Sequence, residues 1–432
     1  MQRKKYSGVL QALLIILIST FILTSSLSAQ ECLGGSPDTA TRSVPSPLSI
    51  GTLAPHYKVI YAFSELSNGG AEPHQHLIFD AAGNMYGVNS VGGDYGNGVV
   101  YELSPQADGT WAEKVLYSFT RGADGGWPEA TLLFDSAGNL YSTTWYGGAY
   151  GAGVVFKLAP NSDGTWTESV LHSFSGGTDG YQSWGALVFD TAGNLYGTTV
   201  YGGAYGGGVV FQLVPNSDGT WTENILHTFT HGADGWCSPR GLVFDANGNL
   251  YGVTAFGGTH DKGTIFELSP APDGSWTETV LHSFNSADGS EPHCAIVFDS
   301  AGNIYGTTLY GGTFGNGVVF ILIPNPDGTW TEKVLHHFTG GNDGAKPLVG
   351  IAFDTSGNLY GTAHSGGAYN DGVVYMISPK GKGVVERVIH TFSGFARDPE
   401  ADVIFDAAGN LYGTTWGGSG MGANGLVYEI TP

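Results

Sequence analysis

One unit of about 55 residues, copied seven times, constrains this chain more than any other feature. The pair Phe-Asp followed by Gly-Asn recurs at Phe79/Asn84, Phe134/Asn139, Phe189/Asn194, Phe244/Asn249, Phe298/Asn303, Phe353/Asn358 and Phe405/Asn410. The spacings are 55, 55, 55, 54, 55 and 52 residues. A fixed period of this size means a repeat architecture, in which each unit is one supersecondary element that buries its apolar faces against its neighbours.

Residues 187–229 illustrate the unit: LVFD is a short apolar strand, AGN a tight turn, and NLYGTT a second strand closed by Gly-Gly. GVVFQLVP is a third strand with alternating character, PNSDGT a hairpin turn with an Asp-Gly signal, and WTENILHTF a fourth strand. The pattern predicts four antiparallel strands per unit, hence an all-β, seven-bladed propeller. The ends of the chain predict closure. A copy of the fourth strand, Val59–Phe63, precedes the first Phe-Asp, while the last unit stops at Leu426–Pro432 without one. The N-terminal strand therefore completes the last blade and removes two exposed sheet edges.

The tandem FD-x-x-GN-LYGTT-x-YGG-x-x-G-x-GVVF-x-L resembles the bacterial GloVer repeat of exported "choice-of-anchor" proteins over nearly all of residues 58–432. That resemblance implies export and carries no established activity. Members of that family are often followed by C-terminal sorting anchors, whereas the last repeat here runs to Pro432. Gly-Gly after the second strand and Trp in the fourth are also similar to a kelch blade, and GNLY to NHL and gluconolactonase-like propellers.

Ahead of the repeats, Arg3, Lys4 and Lys5 lead into an apolar run from Val9 to Leu23 and then small residues up to Ala29. That order predicts a secretory signal peptide over 1–29, followed by a Ser/Pro/Gly-rich linker over 30–56 and the propeller over 57–432. Losing the leader takes the net charge from -22 to -25. Such an acidic chain excludes nucleic acid and anionic membranes as partners. The expectation is a secreted protein, extracellular or periplasmic, and a monomer. Of three cysteines, Cys237 and Cys294 precede the Phe-Asp anchors of adjacent units by seven and four residues, a placement compatible with a disulfide on one rim; Cys32 falls in the linker.

Residues shared by every unit read as scaffold. These are Phe-Asp, Gly-Asn, Tyr-Gly, Gly-Gly and the fourth-strand tryptophans Trp111, Trp166, Trp221, Trp276 and Trp330. The fourth-strand histidines (His172, His227, His282, His336, His390) lie on separate blades and read as core; Asp108, Asp163, Asp218, Asp273 and Asp327 read as hairpin turns. Function is sought where blades differ and where loops gather. A bulky residue follows Gly-Gly at Tyr95, Tyr150, Tyr205, His260, Phe314, Tyr369 and Met421, a candidate aromatic platform around a funnel. Alternate positions three and five before Phe bring His74, His76, Glu129, Glu400 and Asp402 from neighbouring blades seven, one and two to one side of the channel mouth. These five are the candidate acid–base residues, with His74, His76 and Asp402 the set suited to a divalent metal; Trp184 and Arg240 flank them as ligand-binding candidates. No cofactor is required by the sequence. The leading expectation is a binding module for carbohydrate or a surface protein at the rim. The alternatives are a polysaccharide- or lactone-directed lyase or hydrolase at the funnel, and a structural envelope component.

Overall fold

Each blade starts on a turn that its own aspartate builds. In the first, Asp80 Oδ1 accepts the amide N–H groups of Ala82 (2.8 Å) and Asn84 (2.9 Å), while Oδ2 accepts Asn84 Nδ2 (2.8 Å) and the Tyr86 hydroxyl (3.2 Å). Burial would raise this carboxyl, yet the four donors outweigh it and hold it below its ordinary value. Gly83 supplies the positive φ of 86° that the turn demands. The same network recurs at Asp135, Asp190, Asp245, Asp299, Asp354 and Asp406, which explains the F-D-x-x-G-N-x-Y signature residue by residue.

The computed structural model describes residues 55–64, 69–238, 240–381, 383–394, 396–417 and 425–431. The leader, nearly all of the linker, Cys32 and Met421 lie outside the described residues. Among those described there is no helix; all regular structure is strand. Blade 1 is Ile78–Phe79, Met85–Asn89, Val99–Pro105 and Trp111–Ser118, paired antiparallel in that order. Blades 2 to 6 repeat it, and an accessory strand at Gly126–Pro128 pairs with the second strand of blade 2. Blade 7 combines Ile404–Phe405, Leu411–Thr415 and Leu426–Thr431 with the N-terminal strand His56–Ala62, which pairs Tyr57 with Ile430 and Ala62 with Leu426. The predicted closure is present.

Aromatic rings join the blades. The second-strand tyrosine of each blade meets the first-strand phenylalanine of the next edge-on, from Tyr86–Phe134 at 5.1 Å round to Tyr412–Phe79 at 5.3 Å. A second circuit joins the last phenylalanine of each fourth strand to the third-strand ring of the next, as in Phe174–Phe211 (5.3 Å) and Phe63–Tyr101 (5.0 Å). These third-strand rings are fully buried, each burial stabilising by roughly 1.5–3 kcal/mol. The small second-strand glycines give them room: a Cβ on Gly197 would lie 2.6 Å from Phe211 Cζ. In every fourth strand a bulge interrupts the register, as where Val210 pairs with His227 but Phe211 with Ile225, and this re-aims the histidine.

The disulfide is corrected. Cys237 and Cys294 are free and buried, the first beside Val200 and Ala255, the second among Tyr251, Ile296 and Phe320 with its sulfur accepting the Thr307 amide (3.2 Å).

Removing the N-terminal strand through Ala62 leaves Leu426–Thr431 as an open edge and Phe63 without its anchor. We expect a lower melting temperature and concentration-dependent association in light scattering. An unchanged melting temperature and a monodisperse monomer would show that closure contributes nothing.

Candidate functional site

The chain enters every first strand through a segment whose alternate residues look onto the channel mouth. Seven residues before each Phe it adopts left-handed backbone without glycine: Glu72, Trp127, Gln182, Cys237, Glu291, Lys346 and Asp398 all have φ between 55° and 63°. In six of these the amide is fixed by a carbonyl of the preceding blade's loop, as in Trp127 N to Asn97 O (2.8 Å) and Asp398 N to Asp371 O (3.1 Å). The kink therefore belongs to the architecture, while the side chains it presents differ from blade to blade.

Residues from most of the blades meet on the axis. Arg240 of blade 4 donates from Nε to the His293 carbonyl of blade 5 (2.7 Å) and from Nη1 to Gln75 Oε1 of blade 1 (3.1 Å), and its guanidinium lies 5.2 Å from the Trp184 ring. A contact between blades 4 and 1 crosses the channel, and Arg240 is buried there. His76 Nδ1 lies 3.2 Å from Asp402 Oδ2 and 3.2 Å from Thr131 Oγ1. Asp402 Oδ1 also accepts the Gly350 amide. Burial opposes ionisation of Asp402, but His76, Arg240 and that amide prevail and keep its pKa below the ordinary value.

Beside this pair, Glu400 sits between two imidazoles: His74 Nδ1 is 3.0 Å from Oε2 and His364 Nδ1 3.3 Å from Oε1. His364 Nε2 is 3.8 Å from Asp398 Oδ1. Burial would lower both histidines, yet Glu400 and the surrounding carboxylates raise them above 6.5. Burial would likewise raise Glu400, yet the two imidazoles draw it down. Glu129 is the reverse case. Burial, reinforced by Glu72 and Glu400, outweighs His74 and Arg240 and pushes it up. The site thus sets an ionised carboxylate against a carboxyl that resists ionisation.

The five acid–base candidates lie near one another, and four of them divide into two pairs. His74 is engaged by Glu400 and His76 by Asp402, so the metal set His74, His76 and Asp402 is not assembled. Among the described residues the triads of metal-ligating atoms within 4.8 Å of one another lie elsewhere, between blades. Trp184 stands beside Arg240 and packs edge-on against Trp145 (5.6 Å), its indole N–H buried without a partner. Sequence reasoning missed His364 and Trp416. Both stand six residues after the Gly-Asn asparagine, just past the second strand, a position that reads Ser90, Trp145, Val200, Ala255, Leu309, His364 and Trp416 through the blades. Its variability, in a stretch otherwise uniform, was the available signal. Trp416 lies 5.7 Å from His74 and is partly exposed.

The aromatic circle lies elsewhere on the same face. Tyr95, Tyr150, Tyr205, Phe314 and Tyr369 are 56–68% exposed, and His260 is exposed with them. Their loops are held to the end of the fourth strand: Asp94 N to Ser118 Oγ (3.4 Å), Ala149 N to Ser173 Oγ (3.4 Å), Thr313 N to His337 Nδ1 (3.1 Å). The fourth strand is outermost, so the rings stand at the outer margin and not around the funnel. In blade 1, Asp94 and Tyr95 wall a groove of about 390 Å³ against Val115–Ser118.

Because His74 and His364 are raised, the stability they contribute is complete below pH 6.5 and is lost as pH rises through their folded values. Glu400 is lowered, so its contribution is present above 4.5 and is lost as acid titrates it. In Glu400→Gln, burial acts on His74 without its partner. Histidine NMR titration should show its pKa falling below 6.5, with His364, which keeps Asp398, falling less. A His74 pKa that stays raised would remove Glu400 from this role.

The Gloeobacter/Verrucomicrobia repeat model matches residues 49–235, 135–293 and 238–432. No curated protein matches the chain. Similar crystal structures include a putative 6-phosphogluconolactonase from Bacteroides uniformis, 15% identical over 73% of this chain and 83% of that one, with a TM-score of 0.49. Others are a protein of unknown function from Dyadobacter fermentans (12%; 87% and 98%; 0.42) and a putative glucose dehydrogenase from Thermus thermophilus (15%; 88% and 100%; 0.42). At these identities and TM-scores the likenesses assign no activity. Three overlapping matches spanning the whole repeat region are a different matter, and on them the chain belongs to the Gloeobacter/Verrucomicrobia repeat family.

Proposed function

We propose that this propeller is an exported carbohydrate-binding module that holds polymeric glycan along the outer margin of its loop face. The observation that carries this reading is the presentation of an exposed ring at the same loop position in five blades, by Tyr95, Tyr150, Tyr205, Phe314 and Tyr369. Sugar rings expose C–H faces that stack on aromatic faces, and a flat ring loses little side-chain entropy in doing so. The groove against Val115–Ser118 adds a recess beside the Tyr95 ring. One such ring binds weakly; several at a regular spacing add through effective concentration when the ligand is a repeating chain. The leader-like N-terminus and the acidic charge of -22 suit work on neutral glycan outside the cell.

A glycan array followed by calorimetry tests this. Binding should be seen with an oligosaccharide or polymer and be far weaker with its monosaccharide. Tyr150→Ala and Tyr205→Ala should each cost on the order of 1 kcal/mol, a several-fold loss in Kd. Binding untouched by both substitutions would move the ligand off the rim.

A second reading has its own support at the axis. Glu129, resisting ionisation, beside Glu400, held ionised by two imidazoles, is the division of labour that acid–base cleavage of glycosides uses. If glycan is also cleaved, turnover should fall by 100-fold or more, roughly, in Glu129→Gln while rim binding persists. Equal turnover in that variant excludes this chemistry.

A further inference from the structure

The fourth-strand histidines do not meet one another, but four of the five, His172, His227, His282 and His336, lie beside a carboxylate of the loop that follows. His172 of blade 2 lies with Nε2 3.6 Å from Asp179 Oδ2, on the loop that follows, and 3.6 Å from Glu223 Oε1, on the fourth strand of blade 3. His282 of blade 4 lies 3.3 Å from Asp288 Oδ2 and faces Glu332 of blade 5. In both triads the three ligand-type atoms lie within 4.8 Å of one another. We propose that these two blade interfaces, His172/Asp179/Glu223 and His282/Asp288/Glu332, are binding sites for a divalent transition cation, Zn²⁺ fitting best, that staples neighbouring blades.

Three observations carry this. First, the separations are long for hydrogen bonds, which fall near 2.7–3.2 Å, but suit two ligands of one tetrahedral ion at about 2.0–2.1 Å each, which stand roughly 3.3–3.5 Å apart. Second, His172 Nε2, Glu223 Oε1, His282 Nε2 and Glu332 Oε1 are all inaccessible to solvent and have no hydrogen-bond partner. Buried polar atoms are rarely left so, and here the orphans of each triad converge on one point. Third, the variants of the interface within this same chain behave differently. Where tyrosine takes the histidine position, its hydroxyl closes onto a carboxylate directly: Tyr61 to Glu113 at 2.9 Å and Tyr117 to Asp124 at 3.1 Å. Where Tyr57 takes the glutamate position, it stacks flat on His390 at 3.9 Å. At His336 the imidazole closes onto Asp343 as well (3.2 Å), whereas at His172 and His282 the three ligand-type atoms converge within 4.8 Å with the imidazole Nε2 unbonded.

The aspartates are pre-set for the task. Asp179 accepts the Ser175 amide (2.7 Å) and hydroxyl, and Asp288 the Asn285 amide (2.9 Å) and side-chain amide (2.7 Å). Charge points the same way. Two carboxylates share each pocket with one imidazole, and a divalent ion would offset the repulsion between them. One imidazole and two carboxylates leave a fourth position for water.

The test uses the full propeller chain, free of any histidine tag, stripped with chelator and titrated with ZnCl₂ alone. Calorimetry should find about two ions per chain, with the melting temperature rising as Zn²⁺ is added. Anomalous diffraction at the zinc edge should place them within roughly 2.0–2.2 Å of His172 Nε2 and His282 Nε2. Glu223→Gln and Glu332→Gln keep shape and remove a ligand. Each should abolish one site, and the pair both, with the circular-dichroism spectrum retained. No Zn²⁺ uptake, uptake unchanged in the double variant, or anomalous density at His74 and Glu400 instead would each overturn the proposal. If the double variant fails to fold, the diffraction experiment on the unaltered chain decides alone.

Discussion

Everything in this structure hangs on an edge-to-face contact repeated seven times. A second-strand tyrosine meets the first-strand phenylalanine of the next blade at 5.1–5.3 Å all the way round, including the junction of last and first blades. Each contact is worth about 0.5–1.5 kcal/mol beyond its buried area. Its geometric effect matters more. The tyrosine hydroxyl also donates to the turn aspartate of its own blade, so a single residue sets both the turn and the angle to the neighbour. Seven copies of one angle close a circle, and the first strands are then forced together at its centre.

That division explains what the sequence made legible. Uniform positions had uniform jobs: the turn aspartates, the second-strand tyrosines and the buried third-strand rings were readable because the same requirement is stated seven times. The mouth was readable only in part. Alternation picked out His74, His76, Glu129, Glu400 and Asp402, since parity along an extended segment is a local property. His364 and Trp416 follow the second strand, and their amides bond to the Lys346 and Asp398 carbonyls of the entry segments, a placement that parity along one segment does not reveal. Arg240 was chosen for its character, but its reach to Gln75 on the far side of the channel follows from ring closure and not from neighbours in sequence.

The blade interfaces were the least legible. Each His/Asp/Glu triad draws its glutamate from about 50 residues downstream, on a strand that reads by itself as an ordinary amphipathic hairpin. The histidines were seen, and seen correctly as too far apart to meet. What periodicity hides is that a repeat always faces the next copy of itself. A residue pair that looks unrelated within one unit can be adjacent across two, and the substitution of Tyr61, Tyr117 or Tyr57 at single interfaces then reads as a set of internal variants.

The N-terminal strand has a consequence for the order of events in making this molecule. Val59 pairs with Tyr428, so the first segment of the propeller to be synthesised waits for the last before it has a partner. Blades 1 to 6 can form in sequence from local hairpins, whereas the ring is sealed by the contact of greatest sequence separation, the slowest kind to find. Until then two sheet edges stand open, and any second chain in the same condition offers a matching one. The step most vulnerable to misassembly is therefore the final one, and a chain cut short anywhere before Leu426 would forfeit it altogether.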